Sequence, residues 1–297
     1  MRDRDCLRRF LFEQLPIRGQ LVHIDAAWHA LIEHREYPEA VRDVLGEAVA
    51  AALLLASTIK FDGVLSLQLQ GPGPVHLLLA QCTEGFGVRG LARHRDGASA
   101  SRIDELVGAG NLTVTLESED RGRRYEGVVP IEGARLADSL QRYFENSEQL
   151  PTRLWLHADA NGASGMLLQK LPGDARTASG EDAAIEDAWR RVQLIGETLT
   201  AEELGTLADS EILRRLFHED DLRLFESAPV YFRCRCSRER VSGMLQGLGE
   251  TETRALLVER GNVEVRCDFC NRAYVFDAVD VAGIFQGPST GGGTSIH

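Results

Sequence analysis

At 297 residues, 43% of them hydrophobic, the chain exceeds one average domain and has ample material for a core, so a main body plus at least one smaller unit is expected. The formal net charge of -12 is unevenly spread: residues 178–230 carry 13 acidic and 5 basic side chains, whereas 232–285 carry 8 of each, and the lack of a basic excess argues against a nucleic-acid partner. The longest uninterrupted apolar run, Ala48–Ala56, is far short of the roughly 20 residues that span a bilayer. The leading MRDRDCLRRFLFEQL has charges inside its apolar part and no small-residue cleavage site, so the expectation is a soluble, cytoplasmic protein with no membrane partner.

In chain order, residues 1–37 mix short apolar stretches and end before Pro38, a good opening for a helix. From Glu39 to Ile59, Val41, Val44, Leu45, Ala48, Ala52, Leu55, Ala56 and Ile59 fall at helical spacing, which predicts a long, mostly buried helix. Leu65, Leu67 and Leu69 then alternate with Ser66, Gln68 and Gln70 as a strand, and Gly71-Pro72-Gly73-Pro74 forms a turn. Further strands are predicted at Val75–Cys82, Gly87–Ala92, around Leu112–Leu116 and at Tyr125–Pro130, with Ser118–Arg124 as a hairpin tip. Links this short imply antiparallel pairing. A helix at Leu136–Asn146 and a hairpin of Thr152–Ala158 with Ser164–Leu171 complete an α+β body over 1–177.

That body offers little chemistry. Gly71-x-Gly73 lacks the strand-then-helix setting of a dinucleotide fingerprint, and His23, His29, His34, His76, His94 and His157 are scattered without an evident partner in sequence. Cys6 and Cys82 read as ordinary thiols acting as small hydrophobes. Residues 178–230 form an acidic helical linker, with one amphipathic helix over Ala183–Ile195, a capping box at Thr200-Ala201-Glu202-Glu203 and a short helix at Glu211–Phe217. Helices this short and acidic persist when their apolar stripes dock on something, and Glu219-Asp220-Asp221 opposes the macrodipole. A solvated linker and a conformational switch both fit.

The remaining four of six cysteines sit in two tight pairs, Cys234-Arg235-Cys236 and Cys267-Asp268-Phe269-Cys270. A reducing compartment favours metal or redox chemistry for such clusters over static disulfides. This spacing lets four sulfurs converge on one tetrahedral point, the geometry Zn2+ prefers; two short-range disulfides or four unrelated thiols are the alternatives. No histidine lies between residues 219 and 296, so the ligand set would be Cys234, Cys236, Cys267 and Cys270. A closed all-thiolate site has no open position for a substrate water, which favours structure or sensing over hydrolysis. Ser237 caps a predicted helix through Leu248, a second runs from Thr251 to Arg260 and stops at Gly261, and Val263–Arg266 with Ala273–Phe276 form a small hairpin. A module of residues 231–285 with so few large apolar side chains would depend on zinc to fold, and 286–297 reads as a flexible tail.

At these residues the sequence resembles the bacterial redox-regulated heat-shock chaperones, the 33 kDa chaperonin family. The resemblance runs over nearly the whole chain: Phe232-Arg-Cys-Arg-Cys-Ser-Arg-Glu-Arg, Leu248-Gly249 and Glu264-Val-Arg-Cys-Asp-Phe-Cys match its zinc motif, while Lys60-Phe-Asp-Gly, Leu67-Gln-Leu-Gln-Gly, Ser147-Glu-Gln-Leu-Pro-Thr and Leu168-Gln-Lys-Leu-Pro resemble its N-terminal body. It implies an ATP-independent holdase rather than an enzyme, inactive when reduced with one Zn2+ per chain and active after oxidation. By the same resemblance, Cys234 pairs with Cys236 and Cys267 with Cys270 in redox-active disulfides as zinc leaves. The partners so implied are unfolding client proteins and ATP-driven chaperones, and the active form is a homodimer, the reduced form a monomer. Thiolates with a neighbouring resolving cysteine suit such a switch, since a disulfide ligates metal poorly and the small module would then unfold. A thiol-disulfide oxidoreductase using Cys267 and Cys270 is the alternative, although such a motif ordinarily follows a strand and opens a helix.

Overall fold

The structure, a computed structural model, describes residues 4–118, 124–172 and 179–286. The centre of the hairpin tip expected at Ser118–Arg124, the start of the linker at 178 and the tail beyond Gln286 lie outside the described residues. The chain divides into two compact units between Arg233 and Cys234.

In the first unit, β1 (Cys6–Phe12) and β2 (Ile17–Ile24) lead to α1 (Ala26–Ile32) and to α2 (Glu39–Thr58). Then come β3 (Gly63–Gln70), β4 (Val75–Thr83), β5 (Gly87–His94), α3 (Ile103–Val107), β6 (Asn111–Ser118) and β7 (Arg124–Pro130). α4 (Leu136–Tyr143) runs into a π-helical turn at Phe144–Glu148, so the helix expected to reach Asn146 changes hydrogen-bonding pattern three residues early. The series closes with β8 (Thr152–Ala158), β9 (Ala163–Lys170), α5 (Ser179–Gly196), α6 (Ala201–Thr206), α7 (Asp209–Phe217), β10 (Leu222–Leu224), β11 (Ala228–Pro229) and β12 (Tyr231–Phe232).

Two sheets result. One has the order β10-β1-β2-β9-β8, with β11 also on β1; the other has the order β12-β5-β4-β3-β6-β7, antiparallel except where β12 joins β5. Helix α2 lies between them. Fourteen of its 20 residues are buried, the exceptions including a polar stripe of Glu39, Arg42, Asp43 and Glu47 on its first half, and its small residues let strands approach closely. A side chain at Gly46, for example, would meet the Ala158 methyl at 2.4 Å.

The inner face of the first sheet (Leu7, Val22, Ile24, Leu167) joins α2 and the second sheet in one core. Its outer face (Phe10, Phe12, Ile17, Leu21, Met166, Leu168) is covered by Trp189, Val192, Leu204, Ile212, Leu213, Leu216 and Phe217 from α5, α6 and α7. The acidic linker helices are therefore seated on a sheet by their apolar stripes, as their composition requires. The acidic run after α7 is offset, since Arg191 of α5 makes a two-pronged pair with Asp220. The stretch also supplies β10 and β11, and β12 follows directly after it; the sequence predicts none of the three.

The second unit contains α8 (Arg238–Leu248), α9 (Glu250–Arg260), β13 (Val263–Arg266), β14 (Ala273–Phe276) and α10 (Ala278–Gln286). The first two helices and the hairpin stand where the sequence places them; α10 is an addition. Ser237 Oγ accepts from Arg240 N at the start of α8, and Gly261 ends α9 at φ 77°, a left-handed conformation that glycine adopts freely. Its core is small: Val241, Leu245, Val263, Tyr274, Phe276 and Val281 are its buried apolar side chains.

Candidate metal and redox centre

Both cysteine pairs belong to the second unit. Cys234 and Cys236 lie on the extended segment that precedes the Ser237 cap of α8. Cys267 and Cys270 lie on the turn between β13 and β14, which is closed by Cys267 N donating to Arg272 O (3.0 Å) and Asn271 N to Cys267 O (2.8 Å). Asn271 sits at φ 54°, a left-handed position that asparagine tolerates. A turn of this shape holds both sulfurs on one side of the hairpin.

The four sulfurs all lie within 4.8 Å of one another. Cys234 Sγ is 3.5 Å from Cys267 Sγ and Cys236 Sγ is 3.4 Å from Cys270 Sγ, so the two short separations run between the pairs. A tetrahedral Zn2+ with Zn–S of about 2.3 Å would set its sulfurs roughly 3.8 Å apart, close to what the chain provides. Among the described residues this is the one group of three or more His, Cys, Asp or Glu side chains that converges in this way.

The electrostatics of the cluster favour a cation. Burial pushes the Cys234 thiol well above its ordinary value, and hydrogen bonds from the neighbouring sulfurs add to the effect. Cys270 is raised as well, chiefly by burial. At Cys236 burial acts in the same direction, yet the Tyr274 hydroxyl, donating over 3.1 Å, and the adjacent thiols outweigh it and bring the group down to about 7. Four sulfurs this close cannot all ionise without a counter-charge, and a divalent ion supplies one. The soft, all-sulfur donor set with four members fits zinc.

Tyr274 is the functional residue that the sequence reading missed. It reaches Cys236 across 38 residues, so no local motif marks it. Cys6 and Cys82 are buried far from this chemistry in sequence, and burial raises Cys82 to about 12, which makes it an inert thiol near neutral pH. The Cys267–Cys270 pair is flanked by strands on both sides, not by a strand and a helix, which removes the structural setting of a thioredoxin-type catalyst.

Comparison with known proteins agrees with this picture. The family model described as Hsp33 protein matches residues 5–277. A 33 kDa chaperonin of Azotobacter vinelandii is 45% identical over 294 residues, covering 98% of both chains. One of Nitrosococcus oceani is 45% identical over 285 residues, covering 96% of both. In fold, the crystal structure of a 33 kDa chaperonin from Thermotoga maritima superposes with a TM-score of 0.80 at 22% identity, over 95% of this chain and 98% of that one. With the match extending from β1 into the last strand of the cysteine unit, the chain belongs to the Hsp33 family.

Proposed function

We propose that this chaperone-family protein is a redox-regulated, ATP-independent holdase of the cytoplasm that captures unfolding proteins under oxidative and heat stress. The observation that carries the proposal is four cysteine sulfurs within 4.8 Å, set in a unit with a core of six buried apolar side chains among the described residues. In the reduced form Cys234, Cys236, Cys267 and Cys270 hold one Zn2+ per chain. Bound there, the ion keeps four thiolates together and contributes folding energy to residues 231–285.

Peroxide oxidises one thiolate of a pair to a sulfenic acid, taking one proton and releasing one water. The neighbouring thiolate then attacks that sulfur, taking a second proton and releasing a second water as the S–S bond forms. Two thiolates thus give up two electrons per peroxide. By family resemblance the products are Cys234–Cys236 and Cys267–Cys270. Neither disulfide ligates metal well, so the unit loses its main stabiliser and unfolds.

Cys234 is the second residue after β12, so unfolding there frees the chain that follows the linker. Residues 178–230 then release α5, α6 and α7, and the outer sheet face of Phe10, Phe12, Ile17, Leu21, Met166 and Leu168 becomes a surface for apolar segments of clients. Exposed surface of this kind also favours the active homodimer, with clients later passed to ATP-driven chaperones. No catalytic role is assigned to any residue.

The test is zinc content and thiol titration before and after peroxide with mild heat, read beside suppression of client aggregation. One zinc released per chain together with a gain of suppression is expected. Full suppression by the reduced, zinc-loaded protein, with no gain on oxidation, would falsify the switch. Peptide mapping of the oxidised protein tests the pairing: bridges of Cys234 to Cys267 and of Cys236 to Cys270, whose sulfurs already stand 3.5 and 3.4 Å apart, would exclude local disulfides.

A further inference from the structure

Away from the cysteines, the first unit holds one buried cluster of charges that joins the linker helices to the sheet beneath them. Asp209, the first residue of α7, is only 5% exposed. Its Oδ2 accepts from Arg8 Nε of β1 at 3.0 Å, and its Oδ1 faces His23 Nδ1 of β2 at 2.9 Å. That nitrogen is within ion-pair range, yet the buried Oδ1 has no hydrogen-bond partner of full geometry among the described residues. The other nitrogen of the ring, Nε2, lies 2.8 Å from the carbonyl oxygen of Leu204 in the last turn of α6. One imidazole therefore ties both short helices to the same strand.

The strand register sharpens the picture. His23 stands opposite Ser164, and Ser164 opposite His157, so the three form a row across β2, β9 and β8 on the face that α6 covers. Gly205 of α6 lies against His157 so closely that a Cβ there would fall 2.6 Å from the ring. Serine, histidine and aspartate in this order suggest a hydrolytic triad, but His23 Nε2 is engaged by Leu204 and the buried Ser164 hydroxyl has no partner among the described residues. The arrangement binds a helix instead of activating a nucleophile. Although burial acts to raise the Asp209 carboxyl, its bonds to His23 and Arg8 hold it below the ordinary carboxylate value.

We infer that Asp209 is the docking pin of the linker: clamped between Arg8 and His23, its carboxylate fixes α6 and α7 over the outer sheet face, and loss of the pin opens that face without any change at the cysteines. A buried ion pair of this kind adds little net stability over an apolar match but is costly to break on one side, because a charge is left buried and unpaired. It thus gives the linker two states, fully seated or released, and few between. Asp209 and His23 are positioning residues, and the consequence for clients rests on the function proposed above.

The experiment uses the full-length, reduced, zinc-loaded protein. Asp209→Asn should speed amide exchange across residues 201–217 by about tenfold or more, with zinc content and protection of α2 unchanged. His23→Gln should do likewise, and the double variant should fall short of the sum of the two, as residues sharing one interaction do. That shortfall is the signature that two separate packing losses would not give. Full additivity overturns the pin, and Arg8→Gln, which leaves both His23 and Asp209 in place, supplies the same test where Asp209→Asn does not fold. Unchanged exchange in Asp209→Asn, while oxidised wild type still suppresses aggregation, overturns the pin and leaves the switch standing. Faster exchange without client capture in either redox state supports the pin and overturns the assignment of the covered face to clients.

Discussion

A single hydroxyl bears on the reactivity of the cysteine centre. Tyr274 donates to Cys236 Sγ over 3.1 Å from β14, and a donor to a metal-bound thiolate both steadies it as a ligand and blunts it as a nucleophile. Tyr274→Phe should lower zinc affinity by about tenfold, measured by competition with a chromogenic chelator, and speed peroxide oxidation. Unchanged affinity and rate would remove Tyr274 from the centre. Glu47 on α2 presents a different residue-scale case. Burial, then the neighbouring Asp43, raises its carboxyl from 4.5 to about 7. Because the folded value is the higher one, ionisation carries no penalty below the ordinary value, and the penalty grows as pH climbs to about 7. Glu47 is partly open to solvent, so screening reduces the effect; Glu47→Gln should add about 1–3 kcal/mol to urea stability near pH 8 and almost nothing near pH 4. An equal gain at both pH values would contradict this. The cysteines are legible in the sequence because their spacing is local. Tyr274 is not, and neither is the Arg8–Asp209 contact, whose partners are 201 residues apart.

Among the elements, legibility follows burial geometry. Helix α2 shows in the sequence because apolar residues recur at helical spacing, although most of its surface is enclosed. Strands β1 and β2 do not: both faces of their sheet are covered, by α2 on one side and by α5–α7 on the other, so the two-residue alternation that marks a half-exposed strand is lost. The two- and three-residue strands β10–β12 are too short to carry any period. The seat of α5 is equally invisible beforehand, since it rests on a glycine. Gly196 ends that helix against Trp155, where an added Cβ would come within 2.6 Å of the indole ring. Gly196→Val should therefore weaken docking of α5 by about 1–3 kcal/mol and raise binding of a hydrophobic dye by the reduced protein, with zinc content as in wild type. Dye binding equal to wild type would mean that Trp155 yields without lifting the helix.

At the scale of the whole molecule, the two units differ in what holds them together. The first has a continuous apolar core built on α2 between two sheets; the second has six buried apolar side chains and the four sulfurs. Structural zinc sites contribute about 10–16 kcal/mol of apparent binding free energy, a large share for a unit with so small a core. Chelation under reducing conditions, with no oxidant present, should therefore unfold residues 234–286 and leave α2 protected from amide exchange. The tryptophans make this separable: Trp28, Trp155 and Trp189 all precede residue 234, so none reports directly on the cysteine unit. Trp28 is enclosed in the main core, and Trp189 of α5, 5% exposed, packs in the interface of the linker with its sheet. If unfolding of the cysteine unit is transmitted through β12 to the linker, emission from a Trp28→Phe, Trp155→Phe variant, which keeps Trp189 alone, should shift to the red on chelation. If it is not transmitted, methyl signals of Val241 and Val263 collapse while Trp189 emission stays put, and loss of a metal alone does not release the linker.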